Sequence, residues 1–159
     1  MKIATILPYK ENYTFSKAQA AAIWVCDFFK YSKYQNSNYI LGNTKTKDYL
    51  TSNYININIS NLKSKLSSTT KEYCRNIIYK IKDDNFDIIE IHNRPLIFNY
   101  LKKEINSKYI LYFHNDPLTM NGSKSASERL NLLINLDKII FVSKWVQDRF
   151  FINLDKKLS

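Results

Sequence analysis

Short runs rich in β-branched and aromatic residues alternate with segments of helical period from one end of the chain to the other, and this alternation restricts the fold more than any other feature. The runs are Lys2–Leu7, Tyr39–Leu41, Tyr54–Ile59, Asp87–Ile91, Tyr109–Phe113 and Lys138–Val142. Strands that are apolar throughout are covered on both faces, and parallel strands need long, usually helical, crossovers. The pattern therefore predicts an α/β fold, a Rossmann-like three-layer sandwich around a mostly parallel sheet. Only "YININI", where Ile55, Ile57 and Ile59 alternate with Asn56 and Asn58, has the period of a half-exposed strand, which places it at or near an edge.

The intervening segments carry helix signals. Ser16 to Tyr31 has Ala18, Ala21, Ala22, Val25, Phe28 and Phe29 at one-face spacing and opens with Ser16-x-x-Gln19, the pattern of a capping box. Cys74, Ile77, Ile78 and Ile81 form a second stripe, and Pro95 can start a third helix in "RPLIFNYLKKEI". Ser125-x-x-Glu128 caps a fourth, carrying Leu130, Leu133 and Ile134, and Ser143 caps "KWVQDRFF".

At 159 residues and 45% hydrophobic, the chain suits a single folded domain spanning 1–159. Its 24 Lys and Arg against 14 Asp and Glu give a net charge of +10, which attracts phosphorylated ligands, anionic lipid head groups or nucleic acid. The lysines are scattered and no nucleic-acid motif occurs, so the reading is a solvated basic surface with no nucleic acid. Cys26 and Cys74 sit on helical stripes away from any C-x-x-C pattern, as reduced core thiols of a cytosolic protein would. No apolar run approaches membrane-spanning length.

Several chemistries are excluded by residue count. With only Gly42 and Gly122, neither a G-x-G-x-x-G turn nor a P-loop can be assembled. No G-x-S-x-G elbow occurs, and no acidic pair follows the first strand. His92 and His114 have no third ligand at suitable spacing, so no metal and no bound cofactor is expected.

Three polar clusters fall at strand carboxyl ends: "PYKENYTFSK" after the first, "HNRP" after the fourth and "HNDPLTMNGSK" after the fifth. In open parallel sheets ligands bind outside these ends, near the point where strand order reverses, so the clusters are expected on one rim. Gly122 permits positive φ, and the helix opening at Ser125 would offer free N–H groups to an anion. Two readings of His114 to Pro117 are open: ligand recognition, or a turn in which His114 satisfies a backbone group. His92 alone reads as a satisfied histidine at a strand end, but its position parallel to His114 favours a common cleft.

The first strand and helix, "IHNRP", and above all "LYFHNDPLTMNGSKSASERLNLLINLDKIIFVSKWVQDRFF" resemble the N-terminal, acceptor-side domain of GT-B glycosyltransferases of family 4, the group of lipopolysaccharide and other cell-envelope sugar transferases. The most specific part runs from Glu90 to Phe151. The resemblance implies retaining transfer of a sugar from a nucleotide-sugar donor to a glycan or lipid-linked acceptor, the nucleotide sugar being substrate rather than cofactor. It gives His114 the catalytic position beside the transferred sugar and puts His92 and Asn93 along the cleft. Asn115 and Asp116 are assigned to acceptor hydrogen bonds, Lys10, Lys17 or Lys124 to phosphate charge, and Ser143 to the rim.

The chain departs from that pattern in two respects. "KAQAAA" stands where family members carry glycine near the first helix, and no two glutamates are eight apart, as the family's C-terminal donor domain requires. The expectation is an acceptor half whose donor-binding domain is absent, inactive by itself. It would be cytoplasmic, with peripheral contact at the inner face of the cytoplasmic membrane. The alternative is a non-catalytic module that binds a glycan or an anionic lipid.

Overall fold

The computed structural model describes residues 1–59 and 68–154, so Ile59 is the last described residue of the "YININI" region before a gap at 60–67. The strands are β1 (Ile3–Ile6), β2 (Asn38–Gly42), β3 (Tyr54–Asn56), β4 (Ile88–His92), β5 (Lys108–Phe113) and β6 (Lys138–Phe141). All pair in parallel, in the order β3-β2-β1-β4-β5-β6. The helices are α1 (Ala20–Tyr31), α2 (Thr69–Ile81), α3 (Pro95–Leu101), α4 (Ala126–Asn135) and α5 (Lys144–Phe151). The sequence thus forms the Rossmann-like α/β fold expected of it.

This strand order makes the chain wind outward from β1 in one direction and from β4 in the other. Right-handed crossovers then put the helix of the first half and the helices that follow the reversal on opposite faces of the sheet. On one face, Ile6, Leu41, Ile91 and Leu111 pack with Ile77 of α2, Ile97 of α3, Leu132 of α4 and Phe150 of α5 in the larger core. On the other face, Leu7, Ile40 and Tyr54 pack with Ala22, Val25, Cys26 and Phe29 of α1. Among the described helices α1 alone contributes to that second core, and beyond it Val142 is 46% exposed.

β3 lies at the edge, as its period predicts, but ends at Asn56. Its side chains take over there: Asn56 Oδ1 accepts from Thr44 N–H at 2.8 Å, and Asn56 Nδ2 donates to Asn58 Oδ1 at 2.8 Å.

Three details of the predicted helices are corrected. Ser16 and Gln19 form no capping box; α1 starts at Ala20, because Ser16 Oγ donates to Asp48 Oδ2 and Phe15 N–H to Asp48 C=O, tying this segment to another loop. Phe28 is 49% exposed, and Cys26 takes the core position instead. In α4 the core positions are Leu132 and Arg129, while Ile134 is 71% exposed. Arg129 can occupy a core position because its buried guanidinium donates to the carbonyls of Ser123 (3.1 Å) and Lys124 (2.8 Å).

Both cysteines are buried and free, and burial pushes the Cys74 thiol up to about 12. The capping box at Ser125 and Glu128, the Ser143 cap and Pro95 at the start of α3 are all present.

Gly122 has φ +94°, and a Cβ there would stand 2.7 Å from the backbone nitrogen of Leu96 in α3. Gly122→Ala is expected to cost about 2 kcal/mol from strain alone and to lower the thermal unfolding midpoint by about 5 °C or more, measurable by calorimetry. An unchanged midpoint would show that the loop does not need this conformation.

Candidate functional site

The strand order reverses between β1 and β4, where the two outgoing loops part and open a crevice. The loop after β1 supplies Pro8 to Glu11, the turn after β4 supplies Asn93 and Arg94, and the segment after β5 supplies Asn115 to Lys124. Two adjoining cavities lie among them, of about 260 Å³ and 180 Å³, and both are lined by Asn93, Arg94, Thr119 and Met120. A broader basin of about 1020 Å³ opens beside Lys10, Lys45, Lys47, Asn12, Asn43 and Asn56.

The histidines are joined directly. His92 pairs with Tyr112 in the β4–β5 register, and His114 lies two residues further along the same face, so the two imidazoles become diagonal neighbours. His92 Nδ1 and His114 Nε2 are 2.8 Å apart, one donating and the other accepting. Tyr112 stacks on His92 with centroids 4.5 Å apart, and Trp24 of α1 lies 5.6 Å from His92 and 5.3 Å from His114.

Burial, and for His92 the neighbouring charge of His114, pushes both imidazoles below the usual histidine range. They face a mostly neutral surround, with Glu90 reached through Tyr112, whose hydroxyl donates to Glu90 Oε1 at 3.3 Å. Burial raises the Glu90 carboxyl, against the hydrogen bonds from Thr5 and Tyr112.

Asn93 builds the corner that makes this pairing possible. It adopts φ +52°, a region asparagine tolerates better than most residues, and its Oδ1 accepts the His114 N–H at 2.7 Å.

The structure separates the remaining predicted residues. His92, at 1% exposure, stands behind His114 rather than along the crevice wall, and neither histidine lines the two cavities. Asn93, Asn115, Lys10 and Lys124 do line them. Asp116 is engaged elsewhere: its Oδ2 accepts from Arg149 Nε (3.1 Å) and Nη2 (2.8 Å), and its Oδ1 accepts from Leu118 N–H. The hydrogen bond from Arg149 leads the causes that hold its carboxyl below the usual range.

Ser143 Oγ accepts from Val146 N–H as a helix cap, and exposed Lys17 lines none of these cavities. The first turn of α4 already has its anion. Glu128 accepts from Ser125 N–H at 2.8 Å, and amides of this turn hold its carboxyl low.

Glu11, Arg94 and Trp24 were not singled out by sequence reasoning. Arg94 had a signal, a cation directly before the proline that starts a helix at a strand end. Glu11 had a weaker one, a carboxylate three residues beyond Pro8 at the reversal point. Trp24 had none, since helical spacing does not distinguish a boundary position that covers a neighbouring strand.

Among solved structures, the fold is similar to a sucrose-phosphate synthase from Thermosynechococcus elongatus. The TM-score is 0.62 at 13% identity, covering 98% of this chain and 45% of that one. At that identity the likeness establishes a shared Rossmann-like fold alone. The chain spans less than half of its length. No family model matches the sequence, and no curated protein matches it. Among the described residues no helix is long and apolar enough to cross a membrane, and no cluster of three metal-ligating side chains occurs.

The lowered imidazole values set a pH dependence. The unfolded histidines take up protons as pH falls through about 6.5, whereas the folded pair resists them, so the stability it contributes is present above that value and lost below it. The thermal midpoint is expected to fall between about pH 7.5 and about pH 5.5, and His92→Gln should flatten that fall. Equal slopes in both proteins would remove His92 as the cause.

Proposed function

We propose that the chain is the acceptor-side domain of a family 4 retaining glycosyltransferase. It would move a sugar from a nucleotide-sugar donor to a cell-envelope glycan or lipid-linked acceptor. The observation that carries this reading is the likeness of nearly the whole chain to part of a GT-B glycosyltransferase. The convergence of three strand-end loops at the β1/β4 reversal supports it.

In this reading a donor-binding domain outside residues 1–159 closes over the crevice and holds the nucleotide. The half-buried His114 is the catalytic residue nearest the transferred sugar. Its Nε2 is taken by His92, so Nδ1 is the nitrogen left to meet substrate, and His92 is the positioning residue that holds the ring. Asn115, Lys10 and Lys124 line the crevice cavities, which supports roles for them toward acceptor hydroxyls and phosphate charge. Among the described residues the basin with Lys10, Lys45 and Lys47 has no carboxylate in its lining, which suits an acidic glycan or a lipid-linked phosphate. It also suits work at the inner face of the cytoplasmic membrane.

The same basin favours the second reading, a non-catalytic module that binds an anionic glycan or lipid.

The test is transfer from labelled nucleotide sugars to membrane lipid extract, comparing the chain alone with the chain joined to a donor-binding domain. Activity is expected only in the joined form. His114→Ala should lower it about 10²-fold, the scale of losing one positioned group at a reacting centre. Full activity in His114→Ala would remove that residue from the chemistry. No transfer in either form, with lipid or glycan binding by the chain alone, would leave the binding module.

A further inference from the structure

The chain has four arginines, and three of them spend the guanidinium inside the protein. Arg75 pairs with Glu72 and Arg149 with Asp116, while Arg129 donates to the carbonyls of Ser123 and Lys124. Arg94 alone makes no hydrogen bond or ion pair with a described residue. Its Nε is sealed inside the protein, whereas the two nitrogens at its tip, Nη1 and Nη2, are not. The half-buried side chain lines both crevice cavities, of about 260 Å³ and 180 Å³, and is the cation common to the two.

The guanidinium is held where it stands. It lies 5.4 Å from the centre of the Tyr9 ring, which packs edge-on to Tyr73, whose hydroxyl donates to Leu7 C=O at 2.9 Å. The Arg94 backbone is set between the positive-φ corner of Asn93 and Pro95, the first residue of α3. Glu11 is the carboxylate lining the smaller cavity, but it forms no ion pair with Arg94, and burial raises it toward its neutral form. Arginine keeps its charge at any physiological pH, and a charge drawn out of water is normally paired. A cation fixed in a crevice with its tip unspent calls for an anion from outside the chain.

We infer that the tip of Arg94 binds the carboxylate of an acidic sugar, a hexuronic acid unit of the acceptor, through hydrogen bonds from Nη1 and Nη2. The planar fork matches a planar carboxylate with two parallel N–H···O bonds. A phosphate gathers several cations, and here the lysines stand apart, Lys124 in the larger cavity and Lys10 in the smaller. The neighbouring polar lining is uncharged: Asn93 and Thr119 line both cavities and Asn115 the smaller, as suits the hydroxyls of the same ring. This deepens the glycosyltransferase reading and rests on it for naming the ring as part of the acceptor.

The test is an NMR titration of the full chain with methyl glucuronide and methyl galacturonide, their neutral counterparts methyl glucoside and methyl galactoside, and inorganic phosphate. At least one uronide should shift the Arg94 side-chain resonance and bind about tenfold or more tightly than its neutral counterpart, the scale of hydrogen bonds between charged groups. Arg94→Gln should remove that advantage, and Arg94→Lys, which keeps the charge without the fork, should restore only part of it. Lys82→Gln removes one exposed positive charge at the far end of α2 and should leave uronide binding unchanged. The backbone amide spectrum of each variant checks that the fold is intact.

The site is overturned if neither uronide shifts the Arg94 resonance, or if each binds no better than its neutral counterpart. It is also overturned if Arg94→Gln binds the uronide as tightly as the parent, if Lys82→Gln weakens it as much as Arg94→Gln does, or if phosphate binds more tightly than both uronides. Because no donor is present, a failure of sugar transfer does not enter this result. Uronide binding at Arg94 supports the site whatever the transfer assay gives.

Discussion

The parallel pairing of β1 with β4, Ile3–Ile6 against Ile88–Ile91, is the joint from which the rest of the chain is hung. β2 and β3 extend the sheet on one side of it and β5 and β6 on the other. Handed crossovers then send α1 to one face and the remaining helices to the opposite one. Because the strands are parallel, every loop that leaves a carboxyl end emerges on the same rim. Because the winding reverses at this pair, the two loops beside it diverge and leave a space that neither fills. The core and the crevice are two results of one pairing.

Electrostatically the crevice differs from the surface around it. The chain carries a net charge of +10, yet the carboxylates near the rim are fixed in place: Asp116 by Arg149, and Glu128 by the first turn of its own helix. Burial pushes both histidines behind it below the usual histidine range, with Trp24 packed against both rings and Tyr112 stacked on His92. Glu11 and Arg94 are the opposite charges at the reversal point that have kept an atom without a partner.

Much of this was legible in the sequence wherever one local rule decided the outcome. Continuous apolar runs marked the strands, alternation in "YININI" marked the edge, and Pro95, Ser125 and Ser143 marked helix starts through backbone chemistry that needs no distant partner. The misses have a common cause. Ser16 had a distant competitor, Asp48, for its hydroxyl, and Arg129 found carbonyls that allowed a guanidinium to take a core position. The histidines were visible as a pair of strand-end residues, but their direct hydrogen bond depends on register, which one strand's sequence does not carry. The unsatisfied atoms of Glu11 and Arg94 could not be read at all, since an unmet hydrogen bond is a property of what is missing around a residue.

The ion pair between Asp116 and Arg149 also has a mechanical side. It fastens α5 to the turn two residues beyond His114, while Phe150 of the same helix packs against Phe113 and Phe141 beneath. Helix, turn and strand end are thus clamped at two heights, one polar and one apolar, and cannot slide past each other independently. The position of α5 and the position of the His114 turn are therefore set by the same two contacts.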